Sequence, residues 1–124
     1  MAYRVLVVDD EPDIVELVTL LLESAGYEVA AASTGTVAIE KAAAERFQLV
    51  LLDVSLPGID GIEVAAKLRA SSDEDLKVAF HTAMPEPWVR EQFNRYDMFF
   101  SKPVAGDVLL RGAHSMLTGA SAPQ

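Results

Sequence analysis

Residues 49–61, LVLLDVSLPGIDG, decide how the rest of this sequence is interpreted. The run 49–52 is too short for a typical helix, but it suits a strand that is buried on both faces. Leu-Pro-Gly then marks a turn. Asp53 stands where the strand leaves the core, and an aspartate there either starts the turn by bonding the backbone ahead or has a functional role. This stretch alone does not separate the two.

The composition fits one acidic folded domain. The chain has 124 residues, 51% of them hydrophobic, which is enough for one core; we expect a domain at 1–117, and a flexible tail or the start of a linker at 118–124. The lack of cysteine excludes disulfides and thiolate metal sites. No signal-peptide-like or membrane-spanning apolar run occurs, which predicts a cytoplasmic protein without membrane contact. The formal charge of −9 argues against direct nucleic-acid binding by this domain.

Apolar runs alternate with segments of helical period on both sides of 49–52. This alternation predicts an α/β fold, in which a parallel sheet is covered by helices on both faces. The predicted strands are 5–8, 27–32, 49–52, 77–81 and 98–100. The predicted helices are 12–25, 36–45, 61–70, 87–96 and 104–117, with a polar loop at 71–75. Helix four is not expected before Pro87, because each proline disfavours helical geometry in the residue before it.

Polar side chains gather where the predicted strands end. Strand one ends in Asp9 and Asp10, strand three in Asp53, strand four in Thr82 and strand five in Lys102. In an open parallel sheet, ligands bind beyond the carboxyl ends of the strands, where the strand order reverses. Strand two has no comparable group at its end, which favours the order 2-1-3-4-5 with strand two at the edge.

These groups together suit phosphoryl chemistry. Two carboxylates 4 Å apart repel by about 4 kcal/mol at an effective dielectric near 20, and Lys102 offsets only one charge. The negative charge that remains calls for a further cation. Mg²⁺ matches this need, because it binds carboxylates and keeps open positions for water and phosphate. Each residue also has a simpler reading: Asp9 and Asp10 as helix-dipole partners, Thr82 as a helix cap, Lys102 as a surface lysine. Those readings do not explain why all lie on one rim of the sheet.

Four motifs, in order and at nearly the right spacing, resemble the receiver domain of bacterial two-component response regulators. They are DDEP at 9–12, DVSLPGIDG at 53–61, TA at 82–83 and KP at 102–103. The resemblance implies a flavodoxin-like (βα)5 fold with a five-stranded sheet of order 2-1-3-4-5. It also implies a switch driven by phosphorylation of Asp53, with a sensor histidine kinase or a phosphotransfer protein as the donor. Such a domain catalyses only its own aspartyl phosphorylation and dephosphorylation.

The resemblance also implies the metal ligands. Asp10 and Asp53 would bind Mg²⁺ directly, together with the backbone carbonyl of Ser55, and Asp9 would act through water. Ser55 and Met84 lie two residues after Asp53 and Thr82, where the family tunes water access to the aspartyl phosphate. Met84 is predicted to shield the phosphate and to slow its hydrolysis.

The switch residues are implied in the same way. Thr82 would move to bond the phosphoryl oxygens, Lys102 would pair with another oxygen, and Pro103 would position the lysine loop. Phe99 falls at the aromatic switch position. Because phenylalanine lacks the hydroxyl of the tyrosine often found there, burial would define its inward state. His81 is interpreted as a structural residue beside the site.

The region around helix four departs from the family pattern. The span from Thr82 to Lys102 is about two residues shorter than usual, and Arg-Tyr-Asp at 95–97 replaces a common Gly-Ala. Val89, Phe93 and Tyr96 are predicted to form the inward stripe of helix four. Trp88, about 100° away, is then either an exposed partner anchor or a filler of the space left by the short helix.

Several functions remain open. Output is expected through the face of helix four, strand five and helix five, toward a protein partner or a second copy. Alternatively, the chain is part of a larger regulator with a DNA-binding or catalytic output domain. An aspartyl phosphatase is the enzyme rival, but such enzymes usually carry a second aspartate where Ser55 stands. A structural domain that has lost phosphorylation is a third reading, against which the intact acidic set and Lys102 argue.

Overall fold

Five parallel strands form one sheet in the order β2-β1-β3-β4-β5 within the part of the chain that the computed structural model describes, residues 2–71 and 75–119. The strands are β1 Arg4–Val8, β2 Glu28–Ala32, β3 Leu49–Leu52, β4 Lys77–Thr82 and β5 Met98–Ser101. The helices are α1 Pro12–Ser24, α2 Gly35–Ala44, α3 Gly61–Ser71, α4 Glu86–Gln92 and α5 Gly106–Thr118. The predicted sheet order, with strand two at the edge, is confirmed.

The strand register brings the ends of β1 and β3 to the same edge. Val8 pairs with Ala32 on one side and with Leu52 on the other. The backbone N–H of Asp9 donates to the carbonyl of Ala32 (3.1 Å), and that of Asp53 donates to the carbonyl of Val8 (3.0 Å). The sheet ladder thus continues by one residue beyond the strands, and it fixes the backbone of both aspartates.

Side chains alternate between two cores, one on each face of the sheet. One face packs against α2, α3 and α4 through Leu6, Val50, Leu52, Val78 and Phe80. The other packs against α1 and α5 through Val5, Val7, Leu49, Leu51, Ala79 and Phe100. Every residue of β3 is buried, as the unbroken apolar run predicts for a central parallel strand. The fold is therefore a three-layer α/β sandwich of the flavodoxin-like type.

The prediction for helix four was wrong at both ends. The helix begins at Glu86, and Pro87 is accommodated in its first turn, where a missing N–H breaks no intrahelical bond. It ends at Gln92, because Phe93 takes an extended conformation with φ −158° and ψ 120°. Phe93 and Tyr96 still pack against the core that contains Val89, but they do so from outside the helix.

Other boundaries differ less. Helix α5 begins at Gly106 rather than at 104, because Ala105, at the N-cap position, has an extended backbone and makes no side-chain capping bond. The predicted loop 71–75 begins inside α3, which ends at Ser71, and its residues 72–74 lie outside the described part of the chain. Thr118 belongs to α5, and residues 120–124 of the predicted tail also lie outside that part. None of the helices described is long and apolar enough to cross a membrane.

Candidate functional site

Lys102 joins two aspartates at the carboxyl edge of the sheet. Its ammonium donates to Asp9 Oδ2 at 2.8 Å and to Asp53 Oδ2 at 2.9 Å. Both aspartates are almost fully buried, and the lysine side chain is only 12% exposed. Three strand ends that are distant in sequence thus meet in one group of charges, as the strand-end pattern predicts.

The loop after β3 holds Asp53 in place. The backbone N–H of Ser55 donates to Asp53 Oδ1 at 3.1 Å, and Ser55 itself is exposed. Gly58 has φ +76°, a conformation that glycine adopts without steric cost. Gly61 allows the start of α3 to approach the loop, because a Cβ there would lie 2.0 Å from the carbonyl oxygen of Asp53. Any larger residue at this position would displace the aspartate.

An acidic cluster surrounds the lysine. Asp9, Asp10, Glu11 and Asp53 each offer a carboxylate oxygen within 4.8 Å of the others. Asp10 and Glu11 are exposed, whereas the other two are buried. Within 2–71 and 75–119, Lys102 Nζ lies within 4 Å of three of these four carboxylates, and the excess of oxygen donors suits a hard divalent cation such as Mg²⁺. The donor set therefore fits the metal that the sequence predicts.

Glu11 was not predicted as a site residue. Its carboxylate lies 3.6 Å from Lys102 Nζ, and its backbone N–H donates to Asp9 Oδ1 at 3.0 Å. The signal lay in the DDEP run, in which Glu11 was named only as part of the motif. The helix start and the site are the same segment here.

The electrostatics keep Lys102 charged. Burial lowers the pKa of the lysine, but the hydrogen bonds and the negative charges of Asp9 and Asp53 outweigh burial, so the net pKa is raised. The lysine is therefore an ammonium at neutral pH, and it can neutralise a second anionic group beside the aspartates.

Thr82 lies at the end of β4, next to the lysine loop. Its side chain is fully buried, and its hydroxyl accepts from the backbone N–H of Met84 at 3.3 Å. Its carbonyl accepts from the backbone N–H of Lys102 at 2.9 Å, and the Lys102–Pro103 peptide bond is cis. Met84 is half-buried and follows directly on this turn.

An aromatic cluster connects β4 and β5 with the short helix. The Phe80 ring lies 6.3 Å from that of Phe99 and 5.4 Å from that of Tyr96. Phe99 is half-buried in this arrangement. The Tyr96 hydroxyl donates to Glu86 Oε2 at 2.7 Å, which ties the segment after α4 back to its first residue. Trp88 is 44% exposed, which agrees with its predicted position away from the inward stripe and leaves its role open.

His81 is buried beside the site. It is 6% exposed, and it has no hydrogen-bond partner within 2–71 and 75–119. Burial lowers its pKa, the charge of Lys102 lowers it further, and the opposing effects of Asp9 and Asp53 are smaller. His81 is therefore neutral at neutral pH.

Comparison with known proteins agrees with the fold. The family model described as "Response regulator receiver domain" matches residues 5–113, so the chain belongs to the receiver-domain family of response regulators. The chain is thus a receiver domain of the two-component type, which is a signalling domain. This confirms the resemblance that the four motifs indicated.

Individual relatives extend the comparison. The regulatory protein VanRB of Enterococcus faecalis is 32% identical over 117 residues, which cover 94% of this chain and 53% of VanRB. The alkaline phosphatase synthesis transcriptional regulatory protein PhoP of Bacillus subtilis is 51% identical over 69 residues, 56% of this chain and 29% of PhoP. The chain therefore spans about half the length, or less, of these curated relatives.

A solved structure shows the same fold. The response regulator TrrA of Thermotoga maritima, determined in complex with Mg²⁺-BeF, superposes with a TM-score of 0.86 at 35% identity. The match covers 93% of this chain and 99% of the TrrA chain. A metal and a fluoride complex are thus known to bind together in a protein of closely similar fold.

Proposed function

We propose that this domain is a phosphorylation-controlled switch in which Asp53 accepts a phosphoryl group in the presence of Mg²⁺. The observation that carries the proposal is the position of Asp53, a buried carboxylate bonded to Lys102 inside a cluster of four carboxylates. A buried anion in such surroundings is explained if a cation and a transferred anion share the site with it. The phosphoryl donor is the phosphohistidine of a sensor kinase or of a phosphotransfer protein.

The transfer itself needs few groups. A carboxylate oxygen of Asp53 forms a bond to phosphorus as the P–N bond to the donor histidine breaks, and the released imidazole takes up a proton. Lys102 pairs with one phosphoryl oxygen and the hydroxyl of Thr82 bonds another. Catalysis then consists of positioning and charge neutralisation, which is what phosphoryl transfer requires.

Asp10, Asp53 and the backbone carbonyl of Ser55 would bind the metal directly in this proposal, and Asp9 would act through water. The metal, when bound, neutralises charge on the oxygens of the group in transfer. The Mg²⁺-BeF complex of TrrA supports this role, since that protein shares the fold. The fully buried Asp9 is already bonded to Lys102 and to the backbone of Glu11, which suits an indirect role.

The switch then passes outward through β4 and β5. Thr82 gives up its bond with the Met84 N–H when it turns toward the phosphoryl group. Phe99 moves further into the space beside Phe80, and Pro103 keeps the lysine loop in place. Ser55, exposed, and Met84, half-buried, control how water reaches the aspartyl phosphate.

The signal leaves through the face formed by α4, β5 and α5, toward a downstream protein or a second copy. The domain works in the cytoplasm, where the kinase presents its phosphohistidine. A second candidate is a receiver within a longer regulator that acts on DNA. The matched segment covers only 29% of PhoP, a transcriptional regulatory protein, which favours this alternative.

Phosphorylation of Asp53 is tested with acetyl phosphate as the donor. With Mg²⁺, the wild-type chain should gain the mass of one phosphoryl group, measured on the intact protein. Asp53→Asn should gain none, because an amide is a poor nucleophile. A chelator should abolish the gain in the wild type.

Asp60→Asn is the matched control. Asp60 lies in the same loop and is exposed, and within 2–71 and 75–119 its carboxylate accepts only from the backbone N–H of Glu63 at the start of α3 (2.9 Å). It should be phosphorylated like the wild type. A wild-type chain of unchanged mass, or Asp53→Asn phosphorylated as readily as Asp60→Asn, would contradict the proposal.

A further inference from the structure

Arg69, in the last turn of α3, bonds three segments at the edge of the sheet opposite to the phosphoacceptor. Its side chain donates to the carbonyl of Leu76 at 2.7 Å and to the carbonyl of Arg95 at 2.8 Å. It also pairs with the carboxylate of Asp97, and it is only 14% exposed. Arginine suits this position because its planar guanidinium presents several donors in fixed directions.

Asp97 holds the beginning of β5 through both its side chain and its backbone. Its Oδ2 accepts from the backbone N–H of Val78 at 2.8 Å, and its own backbone N–H donates to the Val78 carbonyl at 2.7 Å. We call Arg69 and Asp97, with these bonds, the Arg69–Asp97 clamp. The clamp fixes the place where β5 begins to pair with β4.

The segment 86–96, just before the clamp, is held less firmly. In the described part of the chain, Val89 is the single buried residue of α4, whereas each of the other helices described buries at least two. The hydrogen bonds among Glu86, Arg90 and Tyr96 are exposed or only partly buried. Few buried apolar side chains and exposed hydrogen bonds favour local opening.

This segment covers one side of the aromatic cluster. The ring of Phe93 lies 6.3 Å from that of Phe80, and the ring of Tyr96 lies 6.0 Å from that of Phe99. The bond from the Asp97 N–H to β4 lies outside the segment. Opening of 86–96 would therefore uncover Phe80 and Phe99 while β4 and β5 stay paired.

We propose that residues 86–96 form a lid that opens as one unit over the aromatic cluster, and that the Arg69–Asp97 clamp is the boundary at which the opening stops. The lid needs neither Mg²⁺ nor a phosphoryl group. Failure of this proposal and failure of the proposed function are therefore distinguishable.

Amide hydrogen exchange of the whole, unphosphorylated chain at low urea concentrations tests the lid. The N–H groups of Val89 and Phe93 donate to the carbonyls of Pro85 and Val89, at 3.2 Å and 2.9 Å. Both amides should show the same dependence of exchange on urea, because one opening exposes the same surface for both. Relative to their intrinsic rates, both should exchange at least about ten-fold faster than the Asp97 amide.

Arg69→Met tests the clamp, because it removes every donor of the guanidinium and keeps a long side chain. The opening should then extend past Asp97, so that the amides of Asp97 and Val78 exchange about as fast as that of Phe93. The control is Lys67→Met, since Lys67 is exposed on the same helix. It should leave all these amides unchanged.

Three results would overturn the proposal. Amides of Val89 and Phe93 that differ in urea dependence, or that exchange as slowly as Asp97, would show that 86–96 does not open as a unit. Equal exchange at Asp97 in Arg69→Met and Lys67→Met would show that the clamp sets no boundary. The Asp53 amide, bonded to the Val8 carbonyl in the middle of the sheet, reports general stability. Its acceleration by the same factor as Asp97 in Arg69→Met would assign the effect to the whole fold.

Discussion

Lys102 donates from one ammonium group to carboxylates on two different strands, and it is the close cation of the site. Replacing it by methionine keeps the length of the side chain but leaves Asp9 and Asp53 buried without a counter-charge. Removing one partner of a buried ion pair is costly. We expect Lys102→Met to lower the free energy of unfolding by about 3 kcal/mol in the absence of divalent ions, measured by urea denaturation.

Added Mg²⁺ should restore more stability to Lys102→Met than it adds to the wild type, because a ligand that binds only the folded state stabilises it. Lys67→Met serves as the control, since Lys67 is exposed on α3. It should unfold like the wild type with and without Mg²⁺. If Lys102→Met and Lys67→Met unfold alike, the ammonium does not balance the two carboxylates.

The positions of Asp9, Asp53, Thr82 and Lys102 could be predicted because hydrophobic runs fix where parallel strands end. A polar residue directly after such a run must lie on the carboxyl edge. The contact of Glu11 with Lys102 could not be predicted in this way, since it depends on the path of the chain into α1.

At the scale of elements, a few side-chain hydrogen bonds, rather than helix length, stabilise α4 and the segment after it. The Tyr96 hydroxyl bonds Glu86, and Arg90 bonds both of them, at 3.2 Å and 2.8 Å respectively. Val89, Phe93 and Tyr96 are apolar residues at helical spacing, and this spacing taken alone predicts a longer helix. An extended segment after Gln92 brings the last two onto the same core, so the period could not decide where the helix ends.

Tyr96→Phe removes the hydroxyl and keeps the ring beside Phe80 and Phe99. The variant loses two hydrogen bonds, the partly buried one to Glu86 and the exposed one from Arg90, which together should cost about 1 to 2 kcal/mol. The backbone N–H of Phe93 donates to the Val89 carbonyl at 2.9 Å. We expect the amide exchange rate of Phe93 to rise in Tyr96→Phe, and to rise more than the exchange rates of the β1 amides.

Tyr27→Phe is the matched control for that measurement. Tyr27 is also half-buried and stacks edge-on with another tyrosine, at a ring separation of 6.3 Å, but no hydrogen bond of its hydroxyl is found within 2–71 and 75–119. It should leave exchange at Phe93 unchanged. Equal exchange at Phe93 in Tyr96→Phe and Tyr27→Phe would show that the hydroxyl does not hold the short helix.

At the scale of the whole molecule, the alternation of strands and helices was enough to predict a parallel sheet covered by helices on both faces, and the polar residues at the strand ends then favoured the sheet order. The same packing predicts a sensitivity to acid. Burial keeps His81 neutral in the folded state and lowers its pKa, with Lys102 adding to the effect. In the unfolded chain the same histidine takes up a proton near pH 6.5.

As the pH falls below about 6.5, the unfolded state therefore binds a proton that the folded state resists, and the free energy of unfolding decreases. The loss ends only when the pH reaches the lowered pKa of His81; above pH 6.5 the full stability is present. The measurement is urea denaturation between pH 7.5 and 5.5. Below pH 6.5 the free energy of unfolding of the wild type should fall by up to about 1.4 kcal/mol per pH unit because of His81. His81→Leu should lack this part of the loss. If His81→Leu keeps the pH dependence of the wild type, another group must be responsible for the sensitivity to acid.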